Sequence, residues 1–152
     1  LDIGSRVDGF ISHLLSFEQK TILGDIRPLK IENPFVSFIM LDLTSNLENE
    51  VNETYDSISC LHAIEHMGLG RYGDPINAKG HYLAISNLVK LMSPNANLYL
   101  SFPFGRFSRI EYNAHRVISL LECQEIFKLN SLVVVKKTIL FIFVMVFFVK
   151  KL

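Results

Sequence analysis

The sequence predicts an α/β fold, an open and largely parallel sheet with helices on both faces. Short apolar runs rich in β-branched residues alternate along the chain with segments whose apolar residues recur at helical spacing. A glycine turn at Gly4 separates the first apolar run from the first helical segment. Such alternation favours parallel strands joined by right-handed crossovers, so we expect one sheet covered by helices.

The elements of the first half follow from this pattern. Residues 1–3 form the first strand, and apolar residues at helical spacing between Phe10 and Leu15 form the first helix. Three further strands are predicted over residues 21–23, 36–41 and 55–61; the first two of these runs end at the turn residues Asp25 and Asp42.

The elements of the second half include one long helix. An apolar stripe over residues 81–92 predicts this helix, which stops at Pro94 because proline cannot continue the hydrogen-bond ladder. Residues 97–102 form the next strand.

The last segment of the chain is almost wholly apolar. Residues 132–135 and 138–149 are interrupted only by Lys136 and Lys137. As a helix, the longer run would span roughly 18 Å at about 1.5 Å per residue, well short of the ~30 Å hydrocarbon core of a membrane. Its Ile, Val and Phe content favours an antiparallel hairpin that turns near the two lysines. We therefore predict a domain over residues 1–130 and a hydrophobic hairpin or tail of that domain over 131–152, with a tail-anchored membrane form as the alternative.

Composition limits the classes of partner and compartment. The 152 residues fit one domain, and 15 basic residues balance 15 acidic ones, so there is no basic field for nucleic acid. Cys60 and Cys123 are too few for a disulfide scaffold and lack C-x-x-C spacing. We expect a cytoplasmic protein that does not bind nucleic acid.

Acidic residues in the first three strands predict a ligand site. Asp2, Asp25 and Asp42 lie in or directly after these strands, and ligands of open α/β sheets bind beyond the carboxyl ends of the strands. A carboxylate at the second strand can accept both hydroxyls of an adenosine ribose. Acidic residues near Gly4 would repel a pyrophosphate and attract a sulfonium and an amino group, which favours S-adenosylmethionine over a dinucleotide. This chemistry predicts methyl transfer.

A different chemistry is open at His62, Glu65 and His66. H-x-x-E-H on a helix can place two imidazoles on zinc with the glutamate as base, which makes a zinc hydrolase an alternative. Gly68 and Gly70 would break such a helix at once, and no spacing selects a third ligand. We therefore predict no metal site.

The same residues resemble a known family, the class I S-adenosylmethionine-dependent methyltransferases. Residues 1–4 (L-D-I-G) resemble its first motif, and residues 64–66 and 91–98 resemble the segments after its fourth strand and before its fifth. Asp25 corresponds to its ribose acid and Asp42 to its adenine-side acid. More narrowly, residues 65–75 (E-H-M-G-L-G-R-Y-G-D-P) and 113–116 (N-A-H-R) resemble a methyltransferase-like family known only as a domain of unknown function.

The resemblance implies a Rossmann-like methyltransferase fold and a set of site residues. The residues implied to hold S-adenosylmethionine are Asp2, Gly4, Ser5, Gly9, Asp25, Asp42 and His62. His66 is the first candidate for general base and His115 the second, and the methyl acceptor is an unidentified small molecule or glycan.

The chain departs from the family pattern at the first turn and at its start. Arg6 stands where the family has its middle glycine, and the last glycine of the motif is displaced to Gly9. A wider turn with weaker binding is expected, so an inactive binding or scaffold domain is a further alternative. The chain also begins at the first strand, without the helix that commonly precedes it, which makes a truncated or mispredicted gene product a further alternative.

Overall fold

A computed structural model of the chain describes residues 1–6, 9–47, 53–140 and 144–151. The strands are β1 Asp2–Ile3, β2 Thr21–Asp25, β3 Val36–Met40, β4 Tyr55–Leu61, β5 Met92–Gly105, β6 Arg109–Ile110, β7 Arg116–Ser119, β8 Leu132–Leu140 and β9 Val144–Lys151. The helices are α1 Gly9–Ser16, α2 Gly80–Leu91 and α3 Leu120–Leu129, and Ile64–His66 forms a single 3₁₀ turn.

The strands form one mixed sheet whose centre is parallel. β3, β2, β1, β4 and β5 lie side by side in that order, all parallel. β9 adds to β5 antiparallel, and β8 adds to β9 antiparallel. β7 pairs with the end of β5, and β6 pairs with β7. The predicted open and largely parallel sheet is confirmed.

The direction of the chain across the sheet explains why helices cover both faces. From β1 the chain steps through α1 to β2, and from β4 it steps through α2 to β5, on opposite sides of the β1–β4 pair. Right-handed crossovers that run in opposite directions put their helices on opposite faces. The strand order therefore reverses between β1 and β4, where a crevice opens beyond the carboxyl ends of the strands.

The main core lies between the sheet and the pair α2 and α3. Leu98, Leu100 and Phe102, alternate residues of β5, are buried in one cluster with Leu88 of α2 and Phe127 of α3. This period of two is the pattern of a strand with one face turned to the core.

Regular pairing of β5 with β4 runs from Asn97 opposite Ser57, after an irregularity that contains Pro94. The helix before it ends at Leu91, one residue before the predicted end. Proline removes a backbone donor, so its position in this irregular stretch leaves the ladder of the strand intact.

The C-terminal hairpin is confirmed, but the predicted position of its turn is wrong. Lys136 and Lys137 lie inside β8, where they pair with Phe148 and Phe147 of β9. Leu140 pairs with Val144, so the strands are joined through residues 141–143, which lie outside the described residues. β8 is an edge strand and both lysines are exposed, so the charged pair needs no turn to reach solvent. No helix in the described ranges is long and apolar enough to cross a membrane.

Candidate functional site

A cleft opens at the carboxyl edge of the sheet, at the reversal of strand order. The residues that follow β1 to β4 converge on it: Gly4 after β1, Asp25 and Arg27 at the end of β2, Asp42 and Thr44 after β3, and His62 after β4. His66 and Tyr72 close it on the side of the following loop. The cleft holds about 630 Å³ of empty space, including its open mouth. Small-molecule sites have this range of volume.

Gly4 lets two turns of the backbone approach closely at the floor of the cleft. Its φ is 79°, and a Cβ placed there would lie 2.7 Å from the Cβ of Ala63. Its N–H donates to the carbonyl of Gly24 at 2.9 Å. A left-handed backbone with no room for a side chain requires glycine. Glycine at this position therefore lets the turn after β1 pack against Ala63 while it lines the cleft.

Asp25 is buried at the end of β2 and is held by arginine. Its Oδ1 accepts the backbone N–H of Arg27 at 2.8 Å and the Nε of Arg27 at 2.9 Å, and its Oδ2 accepts Nη2 of Arg27 at 2.9 Å. Nη1 of Arg6 lies 3.6 Å from Oδ1. Burial by itself would raise the pKa of Asp25, but these hydrogen bonds and the two positive charges outweigh it and lower the pKa.

Asp42 shapes the turn after β3. Its Oδ1 accepts the backbone N–H of Thr44 at 2.8 Å and the hydroxyl of Thr44 at 2.6 Å. An aspartate that binds the backbone two residues ahead forms an Asx turn, which fixes its own position. The carboxylate is therefore held in place at the cleft before a ligand enters.

His62 has a strained backbone conformation at the end of β4. Its φ is 53°, which is uncommon outside glycine, and its N–H donates to the carbonyl of Ser101 at 3.0 Å. Its Nδ1 lies 3.2 Å from Oε1 of Glu65, whose side chain is buried. The hydrogen bond to Glu65 raises the pKa of His62, although burial opposes the shift. Strain of this kind is concentrated at functional sites.

The geometry of this segment does not suit the zinc hydrolase alternative. Ile64–His66 is a single 3₁₀ turn rather than an α-helix, so the i and i+4 positions do not share a helical face. Glu65 forms a hydrogen bond with His62, one of the two imidazoles that the zinc alternative needs as ligands. Among the described residues no group of three His, Cys, Asp or Glu side chains is placed to hold a metal ion.

His66 brings an imidazole to the wall of the cleft. Its Nδ1 is buried and has no hydrogen-bond partner within the described part of the chain. Burial lowers the pKa of His66, despite the opposing charge of Glu65. Its ring lies 5.6 Å from that of Tyr72 and 6.3 Å from that of His115. A backbone hydrogen bond at Ala114 also opposes the lowering of the pKa. A neutral imidazole at the wall of a cleft is suited to accept a proton.

The two motifs that resemble the uncharacterised family meet beside the cleft. His66, Tyr72 and Asp74 of the first motif line it, and residues 113–116 contact the first motif. Oδ2 of Asp74 accepts the N–H of Gly68 at 2.7 Å and that of Gly70 at 3.2 Å, and Oδ1 accepts that of Tyr72 at 3.2 Å. This arrangement fixes the loop of residues 68–75.

Two arginines then join this loop to residues 113–116. Nη1 of Arg71 donates to the carbonyls of Asn113 at 3.2 Å and Ala114 at 2.7 Å. Arg116, which is 3% exposed, donates to the carbonyl of Met67 at 2.9 Å. The two motifs are far apart in sequence and in direct contact in the fold.

The structure places the predicted site residues at different distances from the cleft. Those that line it are Gly4, Asp25, Asp42, His62 and His66. His115 lies behind His66, and the Oγ of Ser5, beside Gly4, is buried without a partner among the described residues.

Two predicted residues lie elsewhere. Asp2 is 1% exposed, lines a second cavity and accepts the hydroxyl of Ser59 at 2.6 Å. Gly9 begins α1, and nothing lies within 4 Å of where its Cβ would be.

The site residues predicted from the sequence leave out Arg27, Thr44 and Tyr72, which also line the cleft. Thr44 has a signal, because Asp-x-Thr is a common Asx-turn pattern. Tyr72 lies inside a motif that was singled out, although nothing in the motif showed that its ring would face Arg27. Arg27 has no signal in the sequence, since a charged residue in a turn is ordinarily solvated.

One family profile matches residues 11–133, and the family is described as Caenorhabditis protein of unknown function, DUF268. No curated protein matches the chain. Several solved structures share its fold. A methyltransferase dependent on S-adenosylmethionine from Clostridium acetobutylicum has a TM-score of 0.71 at 9% identity, over 99% of this chain and 82% of that one.

Two other structures show how much chemistry this fold accommodates. The magnesium protoporphyrin IX methyltransferase of Synechocystis, solved with bound S-adenosylmethionine, has a TM-score of 0.66 at 15% identity, over 99% of this chain and 68% of that one. The cyclase SpnF has a TM-score of 0.68 at 8% identity, over 99% of this chain and 73% of that one. These likenesses show a Rossmann-like methyltransferase fold, and fold alone does not decide activity.

Proposed function

The chain belongs to the DUF268 family of proteins of unknown function, and we propose that it is a methyltransferase that takes its methyl group from S-adenosylmethionine. The acceptor is proposed to be a small molecule or glycan. One observation carries the proposal: Gly4 and the carboxylates of Asp25 and Asp42 meet in one cleft at the reversal of strand order. Structural neighbours that bind S-adenosylmethionine share this fold.

The residues of the cleft fit the parts of this cofactor. Asp25 and Asp42 suit ribose hydroxyls and the adenine side, and Gly4, which lines the cleft, suits the amino-acid part. The buried Ser5 hydroxyl adjoins that turn and has no partner among the described residues. His62, whose raised pKa favours the protonated ring, suits the carboxylate of the cofactor. When bound, S-adenosylmethionine would supply an electrophilic methyl group.

The chain's own contribution to methyl transfer would be orientation and removal of one proton. Holding the acceptor in line with the methyl group lowers the barrier because the encounter becomes effectively intramolecular. His66 is the proposed general base, and the proton of the acceptor would pass to its imidazole. His115 lies close enough to influence the charge of that ring, 6.3 Å between centroids.

The first experiment is calorimetric titration of the protein with S-adenosylhomocysteine. We expect a dissociation constant in the micromolar range, and Asp25→Ala should abolish binding. Asp56→Ala, which removes an exposed aspartate of β4, serves as the matched control and should bind normally. If the folded protein does not bind the ligand, the proposal fails.

A second experiment separates an enzyme from a binding domain. Transfer of a labelled methyl group from S-adenosylmethionine to a small-molecule extract should be lost in His66→Ala, while binding of S-adenosylhomocysteine is kept. His13→Ala, on the exposed side of α1, should transfer as the wild type does. Binding by the wild type without any transfer would favour the inactive scaffold.

A further inference from the structure

The carboxylate of Asp25 has few hydrogen-bond positions left for a ligand. Each carboxylate oxygen has two lone pairs. Oδ1 already accepts the backbone N–H and the Nε of Arg27, and Oδ2 accepts its Nη2. The side chain of Asp25 is 5% exposed and that of Arg27 is 39% exposed, so the guanidinium lies between the carboxylate and solvent.

A ribose diol needs more than the Asp25 carboxylate has free. Two hydroxyls donate two hydrogen bonds, and the forked pair with Arg27 covers both oxygens. One hydroxyl at most can bind while that pair is intact. The hydrogen bond from the backbone N–H of Arg27 is part of the turn and can remain when a ribose binds, because it takes only one position on Oδ1.

The structure also shows where the guanidinium can go. Its central carbon lies 4.3 Å from the centroid of the Tyr72 ring, which belongs to the fixed loop of residues 68–75. A guanidinium on an aromatic face keeps a favourable interaction without Asp25. Arg27 can therefore release the carboxylate and stay against Tyr72, which it already touches.

We propose that Arg27 is an internal competitor: its side chain competes with the ribose of a ligand for the carboxylate of Asp25. This competition sets the affinity of the cleft for adenosine compounds. The side chain of Arg27 occupies Asp25 until a ribose diol replaces it, and Tyr72 retains the displaced guanidinium. This inference rests on the proposed function, since it assumes that the cleft binds a nucleoside.

The test measures binding of S-adenosylhomocysteine to the wild type and to Arg27→Ala. Removing the competitor should tighten binding by about tenfold, because the charge-assisted pair no longer has to be broken. Arg27→Lys, which keeps the charge but cannot form the fork, should lie between the two. Lys30→Ala removes a charge from the same exposed loop and should leave the affinity unchanged.

A second ligand pair separates competition from a cleft that is simply wider. Adenosine has the diol and 2′,3′-dideoxyadenosine lacks it, so the gain in Arg27→Ala should be confined to adenosine. Ligand-observed NMR can compare these weak binders. An equal gain for both nucleosides would overturn the inference, as would unchanged or weaker binding of S-adenosylhomocysteine.

The two proposals fail in different ways. If the wild type binds S-adenosylhomocysteine and Arg27→Ala binds no tighter, only the competitor is refuted. If neither folded protein binds, the proposed function falls and the inference falls with it. Circular dichroism establishes whether each variant is folded. If Arg27→Ala is unfolded, the affinity of Arg27→Lys for S-adenosylhomocysteine tests the inference instead.

Discussion

Gly4 and His62 meet at the floor of the cleft with the same backbone conformation and different side chains. Both have positive φ, 79° and 53°, but at Gly4 the Cβ of Ala63 leaves no room for a side chain, whereas His62 carries one. His62 bears its strain with the support of two hydrogen bonds from its N–H to Ser101. At the scale of the residue, the shape of the cleft therefore depends on where a side chain is tolerated.

Replacing Gly4 tests this dependence. We expect Gly4→Ala to lower the free energy of unfolding by about 2 kcal/mol or more, since it adds left-handed strain to the contact with Ala63. Gly9→Ala is the control, because its Cβ would meet open space and alanine favours the helix, so a gain of up to ~1 kcal/mol is expected. Urea unfolding of both variants measures the difference. Equal effects at the two glycines would contradict the argument.

His81 ties stability to pH. It is 2% exposed, its Nε2 lies 3.0 Å from Oε1 of Glu122, and burial lowers its pKa despite that partner. Arg116 acts in the same direction as burial. As the pH falls through about 6.5, His81 binds a proton in the unfolded chain but stays neutral in the folded chain. The free energy of unfolding therefore decreases below that pH.

The expected slope from His81 is at most about 1.4 kcal/mol per pH unit. His81→Gln keeps a hydrogen-bonding group toward Glu122 and does not titrate, so it should lose less stability between pH 7.5 and 5.5. Urea titrations of both proteins at several pH values give the comparison. A constant difference between them at every pH would refute this role of His81.

The edge strand β8 has features that prevent it from pairing with the sheet edge of another molecule. It pairs with β9 on one side, and a bulge at Val135 interrupts the register. Three successive valines, Val133 to Val135, are at least 40% exposed, and two exposed lysines follow. Bulges and lysines on an edge discourage pairing with the edge of another molecule. The charged pair that suggested a turn is instead a protection of the edge.

Removing one lysine of β8 should therefore promote self-association. We expect Lys136→Val to elute from size-exclusion chromatography as concentration-dependent oligomers, because the edge becomes apolar. Lys150→Val removes an exposed lysine from β9, which is paired on both sides, and should remain as the wild type. Light scattering quantifies both. Association of both variants to the same extent would count against a role for the edge.

Aromatic contacts on both faces of the sheet add to the β5–β9 pairing that joins the C-terminal hairpin to the rest of the molecule. Phe147 of β9 is 2% exposed, and its ring lies 5.4 Å from that of Phe102 in β5 and 5.2 Å from that of Phe127 in α3. Phe148 points to the other face, where it stacks on the partly exposed Tyr99 at 5.1 Å. These contacts favour our prediction that residues 131–152 belong to the same domain as residues 1–130.

Truncating the two phenylalanines separates the faces of the sheet. Phe147→Ala should cost about 3–5 kcal/mol of unfolding free energy, as buried phenylalanines do, and the transition should stay single. Phe148→Ala should cost roughly half as much or less, because its site is not fully buried and can relax. Guanidinium titration followed by tyrosine fluorescence and circular dichroism measures both. Two separate transitions in the wild type would show that the hairpin is an independent unit.

The fold followed from the sequence because its signals are local. Gly4 marks the first turn, and Asp25 and Asp42 mark the ends of strands whose apolar runs are plain in the sequence. Parallel pairing then gathers these ends at one edge, which is why Gly4, Asp25, Asp42 and His62 reach the same cleft.

Two features were out of reach because they depend on contacts across the fold. Arg27 covers Asp25 only through the conformation of a long side chain, and no spacing encodes it. Asp2 sits in a strand where successive side chains point to opposite faces, and the choice of face depends on partners such as Ser59. The contact between residues 68–75 and 113–116 depends likewise on tertiary packing.

The loop of residues 68–75, whose Tyr72 and Asp74 line the cleft, bears on selectivity. Asp74, Arg71 and Arg116 hold this loop through hydrogen bonds within the chain. A rigid loop of this kind would favour molecules whose shape already matches it and would exclude molecules that require it to deform. Under the proposed function, binding of an acceptor that fits would cost the protein little conformational freedom. Discrimination among acceptors would then come from exclusion by shape rather than from adaptation to each one.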